Sequence, residues 1–252
     1  MNMTNNPNTE LVNPINTSNK QWISFCLIFI ISWSIAVFLW YQIEVDKTIL
    51  FFLNNSNFST SVVILNKIFS HYGMPLILFI YFCYLILSLK SNEIKNGRPI
   101  FLIIVFSFAL AGITGDILKE IFNRARPIIE YSNEIGFFTN SKTPSFPSGH
   151  ATKSVALVLP FLFYAEYKGG YHSWIKGILA FIALMVCFAR IFLGAHYLSD
   201  VLAGIGWAFL CLPLSVLLSN IVFKRMSYKK LNFAAKVWIF IYLGLIIFLI
   251  YM

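Results

Sequence analysis

Residues 174–223 read WIKGILAFIALMVCFARIFLGAHYLSDVLAGIGWAFLCLPLSVLLSNIVF and contain two apolar runs with a short polar break between them. Each run is close to the length of about 20 residues that an α-helix needs to cross ~30 Å of hydrocarbon. The break and its edges hold Arg190, His196 and Asp200. Ionisable groups are costly next to hydrocarbon, and their presence there indicates a functional site. The pattern therefore predicts two membrane helices with a site at their shared edge.

The same kind of apolar run recurs along the whole chain. In chain order the runs lie at 22–41, 73–90, 99–118, 151–167, 174–193, 200–223 and 235–252. The chain of 252 residues is 58% hydrophobic and 12% charged, whereas soluble domains have about 25% charged residues. We expect an all-α polytopic membrane bundle with a six-helix core over 21–224. A basic loop and one extra C-terminal transmembrane helix would follow over 225–252.

Two regions differ from this pattern. Residues 1–20 are polar and rich in Asn and Thr, so we expect a disordered cytoplasmic tail there. Residues 47–70 mix apolar clusters with Asn and Ser, which predicts short amphipathic helices lying in the membrane interface. The first apolar run is long for a signal peptide and lacks a small-x-small cleavage site, so we expect it to be retained as a transmembrane helix.

The distribution of Lys and Arg predicts the orientation. If seven spans alternate, the most basic loops share one side: 90–98, 168–176 and 224–236. The positive-inside rule makes that side cytoplasmic. The 42–72 loop carries two lysines balanced by two carboxylates, and it falls on the opposite side together with the ionisable break. The net charge of +9 is thereby explained by loops, and nucleic-acid binding is excluded.

The segment KEIFNRARP at 119–127 places two cations at the end of the third run. Lys119 and Arg126 are seven residues apart, so a helix continuing to Pro127 would place both on nearly one face. Arg offers a planar fork for two phosphate oxygens, and Lys offers a point charge. Taken alone, the segment is more typical of a snorkelling helix end whose charges are solvated.

The segment PSGH at 147–150 precedes the fourth run. Pro147 and Gly149 are suited to a tight turn, and Ser148 is suited to an N-cap or a neighbouring position. The free N–H groups of a helix start bind anions, and His150 would face such an anion from the first turn. A plain cap followed by an exposed histidine would produce the same letters.

The segment ARIFLGAHYLSD at 189–200 combines Arg190 with His196 and Asp200. The last two are four apart and would share a helix face. A carboxylate that accepts from one ring nitrogen fixes the tautomer and leaves the other nitrogen free to attack or to take a proton. A buried structural His–Asp pair is the alternative, and it leaves Arg190 without a role.

In this order, the three segments resemble the type 2 phosphatidic acid phosphatase family. That family has Lys, six residues and Arg-Pro, then Pro-Ser-Gly-His, then Ser-Arg, five residues, His, three residues and Asp. The chain departs from the pattern at Ala189, where Ser is usual. The missing hydroxyl removes one possible hydrogen bond, typically worth ~1 kcal/mol net.

The resemblance implies a role for each matching residue. His196 would be the nucleophile that forms a phosphohistidine, and Asp200 would orient it. His150 would protonate the leaving group and then activate water. The phosphate would be bound by Lys119, Arg126, Ser148, Gly149 and Arg190. No metal or other cofactor is expected, because the cations take the place of one.

The expected function is that of a metal-independent lipid phosphatase at the periplasmic face of the bacterial inner membrane. Its partner would be a phosphorylated membrane lipid, such as phosphatidate, phosphatidylglycerophosphate, undecaprenyl pyrophosphate or lipid A phosphate, and no obligate protein partner is indicated. Lys142 and Lys153 are possible headgroup contacts, although a solvated Lys142 and a snorkelling Lys153 are the simpler interpretation. A phosphotransferase of the same fold, or a lipid-binding or transport protein, remains an alternative.

Overall fold

The computed structural model describes residues 12–54, 58–90, 98–131, 133–135, 143–165 and 170–251. Within these ranges the chain forms nine helices: α1 (Asn19–Tyr41), α2 (Ile43–Leu53), α3 (Thr60–Lys90), α4 (Pro99–Phe122), α5 (Pro127–Glu130), α6 (Gly149–Tyr164), α7 (Gly170–Phe192), α8 (Leu198–Phe223) and α9 (Tyr228–Tyr251). The core consists of α1, α3, α4, α6, α7 and α8, and α9 packs outside it against α3. The expected all-α membrane bundle with one extra C-terminal helix is confirmed.

Six of the described helices are long and apolar enough to cross a membrane: α1, α3, α4, α7, α8 and α9. Helix α6 has 16 residues, which is about 24 Å at 1.5 Å per residue. It begins two residues before the predicted run and ends at Tyr164 rather than at 167. The shorter length is tolerated because α6 lies inside the bundle, against α4, α7 and α8, where helices rather than lipid surround it.

The region 47–70 differs from the expectation of short interfacial helices. Helix α2 is such a short helix, but residues 60–70 are the first turns of α3, which continues for 31 residues. Val63 in these turns packs with Phe192 and Leu193 at the end of α7. Burial against α7 is the reason that the helix does not stop where the sequence becomes more polar.

The described part of the amino-terminal tail, 12–18, lies along the bundle instead of being disordered. The Val12 N–H donates to the Met226 carbonyl at 3.0 Å. Ile15 and Asn220 exchange two hydrogen bonds, of 3.0 and 2.7 Å. The prediction for the tail is corrected for these residues, because a side-chain amide satisfies the backbone groups that water would otherwise bind.

Helix alternation brings all three sequence segments to one end of the bundle, which we call the motif end. It contains the end of α4, the start of α6, the end of α7 and the start of α8. At the opposite end, Arg98 donates to the Ser88 carbonyl and to the Asn232 side chain, joining α3, α4 and α9. The end of α3, the start of α4 and the start of α9 therefore share an end.

Two packing features hold the motif end together. Phe146 is fully buried, with its ring 4.8 Å from that of Trp40 and 5.0 Å from that of Phe122. Gly204 of α8 lies against the start of α6: an added methyl would be 2.8 Å from the Ser148 carbonyl oxygen. These contacts fix the loop before α6 over the start of α8.

Candidate active site

The first segment ends its helix earlier than its spacing predicted. Helix α4 stops at Phe122, and Asn123 adopts a left-handed conformation with φ of 40°, which Asn tolerates better than most residues. Arg126 therefore leaves from extended backbone, with φ of −84° and ψ of 152°. The prediction of a continuous helix to Pro127 is wrong, because the chain turns before it reaches Arg126.

Lys119 and Arg126 nevertheless converge on the loop before α6. The Nζ of Lys119 donates to the Pro144 carbonyl at 2.9 Å, and the Nε of Arg126 donates to the Thr143 carbonyl at 2.7 Å. Arg126 also donates from Nη1 to the Ala195 carbonyl at 3.0 Å. Both cations are buried, and Arg126 joins the loop before α6 to the loop before α8.

The second segment forms the predicted helix start. Helix α6 begins at Gly149 with Ser148 at the N-cap, and the Ser148 N–H donates to the Asp200 carbonyl at 2.9 Å. The hydroxyl of Ser148 makes no capping bond. A methyl added at Gly149 would lie 3.4 Å from Cε of Lys119. A lysine, His150 and the open N–H groups of a first helical turn therefore meet here, which is a typical anion site.

The third segment consists of the end of α7, a turn and the start of α8. Gly194 has φ of 62°, which favours glycine. The Ala195 and His196 N–H groups both donate to the Arg190 carbonyl at 3.1 Å. His196 precedes the N-cap of α8, whereas Asp200 lies in its first turn. The predicted common helix face is therefore wrong, although the turn still brings the two side chains together.

The ring of His196 has a different partner at each nitrogen. Its Nδ1 lies 3.4 Å from Oδ2 of Asp200 and 3.3 Å from Oγ of Ser145, which itself donates to that carboxylate. Its Nε2 lies 3.0 Å from Nη1 of Arg126. Because a guanidinium only donates, Nε2 accepts, and we assign the ring proton to Nδ1. The lone pair of Nε2 thus faces the buried guanidinium of Arg126.

The surroundings of His196 keep it neutral. Burial holds the pKa of His196 well below its usual value, and the positive charges of Arg126, Arg190 and Lys119 act in the same direction. An imidazole with a lowered pKa remains unprotonated at neutral pH. It can therefore act as a nucleophile without first losing a proton.

Two buried polar atoms remain unused at the motif end. Nη1 of Arg190 donates to Ser70, but Nε of Arg190 and the hydroxyl of Ser148 have no hydrogen-bond partner among the described residues. Buried donors without a partner are rare and call for an explanation. Both atoms belong to residues that the sequence assigned to phosphate binding.

Sequence reasoning missed the residues beneath His196. Arg124 donates from Nη1 to Asp200 at 2.7 Å and to Ser199 at 2.6 Å, and from Nη2 to Asp46 at 3.2 Å. A second arginine in NRARP and a carboxylate in the apolar helix α2 were the available signals. Neither signal, however, indicates that this arginine and this carboxylate contact each other or Asp200.

The two possible headgroup contacts have different outcomes. Lys142 lies outside the described residues. Lys153, in the second turn of α6, is partly exposed and pairs with Asp116 of α4 at 3.2 Å.

Ala189, at the position where the family pattern has Ser, is fully buried. Among the described residues, no group of three or more His, Cys, Asp or Glu side chains could hold a metal ion.

Curated proteins with similar sequences match about half of this chain. A lipid A 1-phosphatase of Rhizobium johnstonii is 33% identical over 138 residues, which is 51% of this chain and 48% of the relative. An undecaprenyl-diphosphatase of Sulfolobus acidocaldarius is 31% identical over 115 residues, which is 44% of this chain and 50% of the relative. The chain thus spans about half the length of the curated relatives it matches.

The fold also resembles a solved structure. The crystal structure of a transmembrane PAP2 type phosphatidylglycerolphosphate phosphatase from Bacillus subtilis superposes with a TM-score of 0.58 at 21% identity, covering 77% of this chain and 94% of that one. The family model described as the PAP2 superfamily matches residues 100–225, half of the sequence, and this range includes all three segments of the motif end. The chain therefore belongs to the PAP2 superfamily.

Proposed function

We propose that this protein is a membrane lipid phosphatase that hydrolyses a phosphate monoester or pyrophosphate of a lipid. One observation carries the proposal: a neutral His196 presents Nε2 to Arg126, and Arg190 and Ser148 at the same end of the bundle have donors without a partner among the described residues. A tetrahedral anion would satisfy those donors. The names of two relatives, a lipid A 1-phosphatase and an undecaprenyl-diphosphatase, support the same reaction class.

In the first step, Nε2 of His196 attacks phosphorus and the bond between phosphorus and the lipid oxygen breaks. Burial and the neighbouring cations lower the pKa of His150 in the free protein. His150 would therefore become protonated only in the complex with the phosphate dianion, and it gives that proton to the leaving oxygen. Arg126, which donates to Nε2 in the free protein, would instead donate to a phosphate oxygen. The positive charge that develops on the ring is stabilised through its Nδ1–H by Asp200 and Ser145.

In the second step, water attacks the phosphohistidine and gives a proton to His150. The bond between phosphorus and Nε2 breaks, inorganic phosphate leaves, and His196 is neutral again. Lys119, Arg126 and Arg190 hold the phosphate oxygens throughout, with the Ser148 hydroxyl and the Gly149 N–H. Donors fixed before reaction stabilise the transferring group without reorganisation. We propose that these cations make a metal unnecessary.

The site is proposed to face the periplasm of a bacterial inner membrane, because the opposite end carries the basic segments. There it would meet lipid headgroups of the outer leaflet. Lys153 is a proposed headgroup contact: a second phosphate or a sugar phosphate would compete with Asp116 for its ammonium. Lys142 is proposed as a second such contact from its place before Pro147.

The test is a phosphate-release panel on purified protein with EDTA present. The substrates are phosphatidate, phosphatidylglycerophosphate, undecaprenyl pyrophosphate and lipid A phosphate. At least one should release phosphate, and His196→Ala should lose about 1000-fold or more, equivalent to ~4 kcal/mol of barrier. His71→Ala is the matched control, because His71 lies outside the site and bonds to the Ile250 carbonyl; it should retain activity.

Each alternative gives a different result in that panel. A His196→Ala variant within about tenfold of wild type, or ~1.4 kcal/mol, would remove this residue as nucleophile. Activity that appears only with a second lipid or a sugar as acceptor would make the protein a phosphotransferase. Lipid binding without phosphate release under any condition would support a binding or transport protein. A loss of activity in EDTA that Mg²⁺ restores would reject metal independence.

A further inference from the structure

Beneath the proposed nucleophile lies a fully buried network of three charges. The side chains of Asp46 and Asp200 are 0% exposed, and that of Arg124 is 5% exposed. Arg124 lies between the two carboxylates, 2.7 Å from Oδ1 of Asp200 and 3.2 Å from Oδ2 of Asp46. Removing one member of such a network would leave an uncompensated buried charge, which is strongly unfavourable.

Arg124 is held in one position from several sides. Its guanidinium carbon lies 4.0 Å from the ring centroid of Tyr197 and 4.9 Å from that of Trp40. Asp46 also accepts from Ser199, through the N–H at 3.2 Å and through the hydroxyl. These bonds attach the short helix α2 to the first turn of α8. The same turn contains Asp200, which contacts the imidazole of His196.

The two oxygens of Asp200 have separate partners. Arg124 occupies Oδ1, whereas Oδ2 accepts from the Tyr197 N–H at 3.0 Å and from Ser145, and lies 3.4 Å from Nδ1 of His196. Hydrogen bonds at both oxygens resist rotation of the carboxylate about its Cβ–Cγ bond. Oδ2 therefore stays directed at the imidazole, which keeps Nε2 directed at Arg126.

The net charge of the network is also suited to stabilising a positive charge on His196. Arg124 alone would cancel the charge of Asp200, but Asp46 supplies a second negative charge. One guanidinium and two carboxylates leave one net negative charge next to the ring. That negative charge stabilises the positive charge that His196 acquires when it attacks phosphorus.

We propose that Asp46 and Arg124 are positioning residues of the reaction, which orient Asp200 and keep its charge available to His196. The inference rests on the proposed phosphatase function. Neither residue bonds to the phosphate-binding cations in the structure, so their loss should lower kcat and leave KM nearly unchanged. A purely structural pair would change stability and leave kcat intact.

The experiment compares Arg124→Met, Arg124→Lys and Asp46→Asn in the full chain, using a lipid that the wild type hydrolyses. We expect Arg124→Met to lower kcat about 100-fold with KM within about threefold, as is typical for groups that orient a catalytic side chain. Asp46→Asn should lower kcat about tenfold. Arg124→Lys keeps the charge and should recover to within about tenfold of the wild-type kcat.

Arg98→Met is the matched control. Taken as a whole residue, Arg98 is about as buried as Arg124, 5% against 7% exposed, and also joins helices, but at the opposite end of the bundle. It should lower the melting temperature in detergent and leave kcat unchanged. If Arg124→Met does the same, the positioning role is rejected and the network is structural.

If Arg124→Met does not fold, the inference can still be tested with another variant. In that case Asp46→Asn decides: a kcat within about twofold of wild type, which is less than ~0.5 kcal/mol, overturns the inference. The proposed function fails separately, and takes this inference with it, only if wild-type protein releases phosphate from no lipid in the panel. An active wild type with an unaffected Asp46→Asn rejects the positioning role alone.

Discussion

At the scale of the residue, the chemistry of the motif end depends on which nitrogen of His196 is free. The Nδ1 side faces Ser145 and Asp200, and the Nε2 side faces Arg126. The ring therefore has one orientation and one tautomer, and its lowered pKa keeps it unprotonated. The proton transfers are proposed for a second histidine, His150 in the first turn of α6.

That division of roles predicts how His150→Ala behaves. A missing general acid should slow turnover of the lipid by about 100-fold or more, because the leaving alkoxide is then unprotonated. An aryl phosphate leaves without a proton, so its kcat should fall far less. Parallel kcat measurements on both substrates check this, with His71→Ala as control. Equal losses on the two substrates would contradict the general-acid role.

At the scale of the element, the site depends on how closely α8 approaches the start of α6. Gly204 makes this possible: a methyl there would lie 2.8 Å from the Ser148 carbonyl oxygen and 2.8 Å from Oγ1 of Thr152. The same region is fixed by the hydrogen bond from the Ser148 N–H to the Asp200 carbonyl. A small separation of the two helices would therefore displace both Ser148, a proposed phosphate ligand, and Asp200, the partner of His196.

Gly204→Ala should accordingly destabilise the protein by about 1–3 kcal/mol, the usual range for overpacking, and should also reduce phosphate release. The melting temperature in detergent and kcat are measured together. Gly177→Ala is the control, since nothing lies within 4 Å of the added methyl and alanine is the better helix former. Equal stability of the two variants would contradict the close approach.

At the scale of the whole molecule, charge separates the two ends. The segment after α8 contains Lys224, Arg225, Lys229 and Lys230. The motif end instead has buried cations: Lys119, Arg124, Arg126 and Arg190. Loop charge decides membrane orientation, so the basic end should be cytoplasmic and the site should face outward.

Cysteine labelling of a chain without its native cysteines tests this orientation. Asn133→Cys lies at the motif end and should react with a membrane-impermeant thiol reagent in intact spheroplasts. Lys224→Cys lies at the basic end and should react only after lysis. Both positions are exposed, so accessibility within the protein is matched. The reverse pattern would overturn the orientation and exclude substrates confined to the outer leaflet.

The sequence by itself determined the features that depend on neighbouring residues. Apolar runs of membrane length predicted most of the helices, because the hydrophobic thickness of a bilayer constrains a helix wherever it lies. The start of α6 near Gly149 followed from proline, serine and glycine chemistry. The segments around Lys119, Gly149 and His196 could therefore be identified as a site before any contact was known.

Only the tertiary structure decided which distant groups meet. Asp46 bonds to Arg124 and Ser199 across 78 and 153 positions of sequence, and no local pattern specifies such a pair. Packing against α7 also extends α3 to include its polar first turns. A hydrogen bond from Ile15 to Asn220 fixes the described part of the tail to α8. Periodicity reports whether a residue faces lipid or protein, whereas the partner of a buried charge depends on how all the helices pack together.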